Sequence, residues 1–417
     1  MERLVGNGVL LAEGNEHKFQ RKNLMPAFSF RHIKNLFPTF WAKAVESALA
    51  INEDIDNTAG APPSKAAIDA GVSPDIKLAS NEAIISVGSW ASRATLDIIG
   101  VAGIGRDFNS IADPNGALHQ AYVRGTRPSR QTAALQILNL VLPTVIIRNL
   151  PMKRNTEMDT AVKVIRDTCH VLIREKKERL ASGEEAGKDI LGVAIESGAF
   201  TDEQLVDQLM TFLAAGHETT STAMLWAIYL LSINPDMQTR LREEVRASLP
   251  SPDSDASIMA ADIDHLPYLN AVCSEVLRHH APIPITLRKA AVDTTIVGEA
   301  VPKGTTIYLA PWATNRDPKL WGEDAEEFRP DRWLNDASGG AESNYAFMTF
   351  VHGPRSCIGE KFARGEFACL LATWVGRFEF ELAISAQRDE RNIMIRGGAT
   401  SKPMKGLWMK TKRVEGW

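Results

Sequence analysis

Several short stretches of this 417-residue chain bring together residue types that can do chemistry. In FVHGPRSCIGEKFARGEF, Phe350 to Phe367, a single cysteine, Cys357, stands among glycines, a proline and arginines, just before an apolar helical pattern. A thiolate that ligates a metal needs a tight turn that aims backbone amides at sulfur, and a helix start favours its negative charge. Gly353 and Pro354 permit such a turn. Gly359 leaves room for a flat macrocycle, and Arg355, two residues before the sulfur, can donate to an anionic group on the same ligand. A lone cysteine is usually a buried bystander. The combination of constraints at fixed offsets favours ligation here.

A second stretch, AAGHETT, starts at Ala214 in the middle of an apolar stripe at helical spacing that includes Leu205, Leu209, Phe212, Met224 and Ile228. Ala214, Ala215 and Gly216 remove bulk where something large approaches the backbone, while Glu218 and Thr219 place an acid beside a hydroxyl. A packing notch with a solvated acid is the plain alternative. A carboxylate buried on such a helix needs a partner or a task. Mid-helix Thr also favours a local kink by bonding back one turn. Farther on, Glu275 and Arg278 are three apart on one helix face. Alone, such a pair is usually a weak surface pair. Its apolar neighbours Leu269, Val272, Val276 and Leu277 tilt it towards burial in a network, which requires a third charged partner.

These residues need elements to position them. Thr201 and Gln204 form a capping-box pattern that opens a helix running to Asn234-Pro235, roughly 50 Å at 1.5 Å per residue. A helix of that length must cross the core. Another opens near Pro267 and stops before Pro282. The segment from Thr294 to Asn315 reads as strand, turn, strand around Gly298 and Pro302-Lys303-Gly304, and a weaker β region lies near the C-terminus. DNTAGAPPSKAAIDAGVSPD and SLPSPDSDAS read as exposed loops. The uncharged run from Gln131 to Ile147 reads as buried helix, or as a surface that dips into a membrane or flanks an apolar channel. The pattern predicts a mainly α chain with minor β, organised as one domain over residues 1–417.

Composition is ordinary for a globular protein, with 44% hydrophobic and 24% charged residues and a net charge of -4, which argues against nucleic acid as a partner. Four cysteines in so long a chain are too few for a disulfide framework. No stretch is apolar enough for a signal peptide or a membrane span.

FVHGPRSCIG resembles the haem-thiolate signature of the cytochrome P450 superfamily, with Phe350, Gly353, Arg355, Cys357 and Gly359 at the family's offsets. AAGHETT resembles its oxygen-activation motif, and EVLR its ExxR, Glu275 and Arg278. FRPDRW supplies Arg332 as the third partner, although Asp331 and Trp333 replace the more usual glutamate and phenylalanine. HKFQR resembles the family's propionate-binding helix, which makes His17 and Arg21 candidates beside Arg288 and Arg355. The wording is most similar to microsomal-type P450s of filamentous fungi.

The resemblance implies haem b with Cys357 as axial thiolate, whose electron donation favours O–O cleavage. It implies electrons from NADPH through a separate cytochrome P450 reductase, or from cytochrome b5. Thr219 and Glu218 would handle protons, Ala215 would lie against the haem, and Phe212, Ile283, Ile285 and Thr400 would line the substrate pocket. The expected reaction inserts one oxygen atom of O2 into an apolar organic substrate, in fungal secondary metabolism. The family's location would place it on the cytoplasmic side of the endoplasmic reticulum membrane. The helix bearing His17 begins within twenty residues of Met1, so the resemblance also leads us to expect a chain without the family's N-terminal anchor, first helices and part of the main sheet. In that case the protein would be cytoplasmic. Two other functions fit the motifs: a haem-binding remnant without turnover, and a reductase-independent isomerase or dehydratase of the same fold.

Overall fold

The computed structural model describes residues 2–126, 144–183, 189–396 and 399–417, together with Gln131, Leu135 and Leu138. Its axis is the central helix Asp202–Ile233, which begins with the predicted capping box: the Gln204 amide donates to Thr201 Oγ1 at 3.3 Å, and the Thr201 amide donates to Gln204 Oε1 at 2.9 Å. It ends at Asn234 because Pro235, which can occupy a first helical turn, starts the next helix, Pro235–Ser248. Apolar side chains from nearly the whole helix, Leu205 to Leu231, belong to one hydrophobic cluster. The predicted passage through the core is therefore observed.

Two helices carry the other motifs. The cysteine helix Glu360–Arg377 packs on the helix Phe37–Thr58 and on the central helix. Its Gly365 admits the rings of Phe37 and Phe40; a Cβ there would stand 2.9 Å from Phe37 Cζ. The helix Pro267–His279 packs on both the central and the cysteine helices and holds Glu275 and Arg278. On the opposite flank the helix Val87–Ile98 packs along the central helix and widens into a π-helical turn, Ile99–Ile104.

β-structure is minor. Strands β1 (Glu82–Ser86), β9 (Trp408–Arg413) and β6 (Phe378–Leu382) form an antiparallel sheet with β9 in the middle, registered by Ile84 opposite Lys410 and Phe380 opposite Thr411. β6 follows the cysteine helix directly, which ties that helix to the C-terminus. β2 (Thr286–Lys289) pairs with β5 (Thr306–Leu309), and between them β3 (Thr294–Ile296) and β4 (Glu299–Val301) form a hairpin that turns at Val297 and Gly298. β7 (Ile395–Arg396) pairs with β8 (Lys402–Pro403).

The stretch from Asp56 to Asp75 corrects an expected loop. Asp56 to Thr58 finish a helix, and Lys65–Ala70 form another, with the Ser64 side chain accepting from the Ala67 amide and Gly71 closing it at φ +114°. The Ala-rich centre outweighs the prolines before it. The uncharged run from Gln131 to Ile147 falls largely outside the described residues; its end enters a short helix, Thr144–Arg148. Among the described residues no helix is long and apolar enough to cross a membrane.

Candidate active site

Cys357 sits between two local constraints. Its own amide donates to the Phe350 carbonyl at 2.9 Å, which closes the loop, and the Gly359 amide donates to its sulfur. The turn is strained at Val351, a β-branched residue with φ +47°, while Gly353 takes φ +77° without cost. The Cys357 side chain keeps open surface, yet the surrounding protein mass is dense enough that burial pushes the thiol up to about 11, against the lowering effect of the Gly359 amide. A group that is both open and enclosed lines an internal space. Cys169, Cys273 and Cys369 are buried, and burial holds their thiols protonated.

Cations gather at this loop. Arg21 donates to the Ser356 carbonyl at 2.7 Å and to Ser356 Oγ at 3.2 Å, holding the residue next to the cysteine. Arg355 donates to the Ala12 carbonyl at 2.6 Å. Burial lowers the Arg355 pKa, and the charges of Arg288 and Arg21 lower it further while Glu13 opposes. His17, which is buried, is lowered by burial and then by Arg355 and Arg21. Arg288 makes hydrogen bonds to Thr286 Oγ1 and the Leu287 carbonyl, neither of which is acidic. Arg355 lies in the field of Arg288 and Arg21, and His17 in that of Arg355 and Arg21, a basic cluster that suits anionic groups. Gly359 has only a Phe28 ring carbon near, 3.8 Å from where a Cβ would be. A thiol, a row of cations and a lean backbone fit a macrocycle with carboxylate arms.

The central helix contributes a second face. Most of its length is buried, but Ala214, Ala215, Gly216, Glu218 and Thr219 in its middle are partly open. The helix runs on without a break there, although Thr219 Oγ1 donates back to the Ala215 carbonyl at 2.8 Å and Thr222 Oγ1 to the Glu218 carbonyl at 2.7 Å. Gly216 answers a different need from Ala215: a Cβ on it would meet Ile99 at 3.0 Å, so the bulk it admits belongs to the π-helical turn. Glu218 Oε1 accepts from Lys402 Nζ and from Thr400 Oγ1, each at 3.1 Å. Burial alone would raise its pKa, but Lys402, with His217 and Thr400, brings it down to about 2.

The Glu275 network is complete. Glu275 and Arg278 side chains are 0% exposed and joined by two hydrogen bonds of 2.8 Å. Glu275 also accepts from the Arg329 amide at 2.8 Å, Arg332 Nε at 3.1 Å and Trp333 Nε1 at 2.9 Å. Burial would raise this carboxyl; Arg278, the Arg329 amide and Arg332 together hold it below the usual range. Arg278 donates in addition to the carbonyls of Asn315, Ala325 and Glu327. The charged core thus pins the segment that precedes the cysteine loop.

A family model described as Cytochrome P450 matches residues 3–408. The chain belongs to the cytochrome P450 family. The cytochrome P450 monooxygenase sphH of Aspergillus fumigatus is 47% identical to it, over 100% of the chain and 74% of the relative. The cytochrome P450 monooxygenases ALT8 of Alternaria alternata and FUM15 of Gibberella moniliformis are each 45% identical, over 100% and 99% of the chain and 76% and 74% of their own lengths.

The remaining P450 residues named from the sequence sit in different settings. Phe212 is 8% exposed and stacks on Phe28 with ring centroids 5.6 Å apart. Ile283 is half-buried, and Ile285, at 53% exposed, lies on the surface just before β2. Thr400 is taken up by Glu218. Phe350 is half-buried beneath the Arg364 guanidinium, 5.0 Å from its ring centroid. Sequence reading missed two partners. Trp333 reads as a departure from the motif, but its indole N–H supplies a donor to Glu275 that phenylalanine lacks. Lys402 carries one signal, a cation in the turn GATSKP; its ion pair with Glu218 spans chain segments that no local pattern connects.

Proposed function

We propose that Cys357 would supply the thiolate that holds a haem in this P450, and that the chain inserts one atom of O2 into an apolar organic substrate of fungal secondary metabolism. The carrying observation is that an open thiol, held by the Gly359 amide inside dense protein, shares its loop with Arg355 and stands beside Arg21, His17 and Arg288. When bound, haem supplies dioxygen activation and the oxidation of a substrate C–H bond.

The protein's own residues do the rest. Arg21 fixes the cysteine loop, and Arg355, His17 and Arg288 would hold the carboxylates of the haem. Thr219 Oγ1, which donates to the Ala215 carbonyl, keeps lone pairs free to take a proton from the solvent side and pass its own inward. Glu218, a carboxylate held by Lys402, would accept a proton from the solvent side and return it towards Thr219. The exposed Phe30 ring lies under Lys34 and the exposed Lys361. Such a basic surface beside the cysteine helix suits an acidic electron donor, NADPH-cytochrome P450 reductase or cytochrome b5, on the cytoplasmic face of the endoplasmic reticulum.

The test is a reduced carbon monoxide spectrum of the haem-loaded chain. Wild type should show the long-wavelength Soret band of thiolate ligation, Cys357→His should lose it, and oxygen use should depend on added reductase. An identical spectrum for the variant, or oxygen use independent of reductase, would overturn the proposal.

A further inference from the structure

Away from the cysteine loop, a second set of metal-ligating side chains comes together. His279 ends the helix Pro267–His279 and His280 follows it, while Glu390, far along the chain, opens a short helical turn, Glu390–Asn392. The histidines are 5% and 3% exposed, and the Glu390 side chain keeps 33% of its surface. One ring nitrogen of each histidine and one Glu390 carboxylate oxygen all lie within 4.8 Å of one another. His280 Nε2 stands 3.6 Å from Glu390 Oε2 and finds no hydrogen-bond partner among the described residues. A buried polar atom left bare is costly.

The contacts around the cluster show what it favours. His279 Nε2 lies 3.0 Å from the Glu326 carbonyl oxygen, which can only accept, so that nitrogen carries the ring proton and Nδ1 keeps a lone pair. A backbone carbonyl on the far nitrogen is the support that metal-bound histidines commonly have. Nδ1 accepts from Arg316 Nη2 at 3.1 Å, and the same Nη2 stands 3.5 Å from His280 Nδ1 and 3.8 Å from Glu390 Oε1. A cationic group thus already sits where the three side chains meet. Arg316 has other anchors: its Nε donates to the His279 carbonyl at 2.7 Å, and Nη1 stands 3.6 Å from Glu326 Oε2. It can therefore yield the Nη2 position and stay attached.

Two imidazoles and a carboxylate select a transition ion such as zinc over calcium or magnesium, which take oxygen ligands. Metal bonds of about 2.0–2.1 Å in a tetrahedron put ligand atoms roughly 3.4 Å apart, close to the 3.6 Å between His280 Nε2 and Glu390 Oε2. The part-exposed Glu390 carboxylate can turn to complete the set, and its side opens to solvent.

We propose that His279, His280 and Glu390 bind one divalent ion of the zinc class in competition with Arg316 Nη2, and that the ion clips the end of the helix Pro267–His279 to the turn Glu390–Asn392. The clip reaches the central helix. The His280 ring stacks parallel on Trp226 with centroids 4.0 Å apart, and the Trp226 indole donates to the Ser401 carbonyl at 2.7 Å. Ser401 stands between Thr400 and Lys402, the two residues that hold Glu218. None of the three ligands lies in the cysteine loop, so the site stands apart from the haem reading.

Zinc chloride added to the haem-loaded chain tests the site, followed by calorimetry, thermal unfolding and diffraction at the zinc edge. We expect one equivalent to bind, an anomalous peak among His279, His280 and Glu390 with Arg316 Nη2 moved aside, and a higher unfolding temperature with zinc than without. Glu390→Gln, which keeps the size of a part-exposed side chain, should weaken binding roughly tenfold or more and lose the rise. Magnesium chloride should give neither peak nor rise. A peak elsewhere, or binding in Glu390→Gln equal to wild type, would overturn the site. A peak in place with Arg316 Nη2 unmoved would remove the competition, and an unchanged unfolding temperature the clip.

Discussion

Lys402 Nζ stands 3.1 Å from Glu218 Oε1, so a lysine of strand β8 clamps the acid in the middle of the central helix. Thr400, two residues earlier, donates to the same oxygen. The C-terminal turn therefore sets the charge state of the acid.

Replacing Lys402 by Met should raise the Glu218 pKa, because burial would then act with less opposition. In the wild type the folded pKa of about 2 lies below the unfolded value of roughly 4.3. The carboxylate thus stabilises the fold above the unfolded pKa, and that contribution fades as pH falls towards the folded one. Lys402→Met should cost about 1–3 kcal/mol at pH 7, with the deficit shrinking below about pH 4. Urea unfolding across pH 3–7 measures it; a deficit independent of pH would assign the loss to packing.

Glu275 is the acceptor on which Arg278, Arg332, Trp333 and the Arg329 amide converge. Glu275→Ala leaves the buried Arg278 guanidinium facing no carboxylate and Arg332 with Asp324 alone, and should cost about 3–5 kcal/mol. Glu275→Gln keeps an acceptor but not the charge, and should fall between Ala and wild type. Thermal unfolding of the haem-free proteins gives the order, and a Gln variant as stable as wild type would assign the loss to volume rather than charge.

Thr219→Ala removes a hydroxyl whose proton now lies on the Ala215 carbonyl. Under the monooxygenase reading, oxygen consumption should continue while product falls and peroxide rises, typically by the 10- to 10,000-fold range of a positioned proton donor at most. Thr219→Ser should recover most coupling. Unchanged product per oxygen in the Ala variant would point to chemistry that does not need the acid-alcohol pair.

Local signals explain how far the sequence could be read. The Thr201–Gln204 capping box and the Pro235 stop bound the central helix because both act within one turn. Glu275 and Arg278 could be paired from their spacing, and Arg332 from its motif. What escaped was contact between distant segments: Lys402 and Thr400 on Glu218, Trp333 on Glu275, and the Tyr122 ring on His217. The helix Lys65–Ala70 escaped for another reason, since proline and serine density around Ala61 to Ser64 masked a Ser64 cap. Ile285, placed on a pocket wall from its apolar character near Pro282, is 53% exposed.

Glu366 is a further buried acid. It lies on the cysteine helix at 0% exposure, and neither carboxyl oxygen has a hydrogen-bond partner. Burial raises its pKa well above the ordinary value, and the neighbouring Thr220 hydroxyl of the central helix offsets this only in part. The folded state therefore holds a proton that the unfolded chain releases above roughly pH 4.3. Between the unfolded and folded pKa values stability must fall as pH rises, by about 1.4 kcal/mol per pH unit. Glu366→Gln, equally long and permanently neutral, should abolish that slope: near wild type at pH 4, and more stable than wild type at pH 8. Urea unfolding at both pH values decides it, and a Gln variant less stable than wild type at pH 8 would show that Glu366 is ionised and partnered in the folded protein.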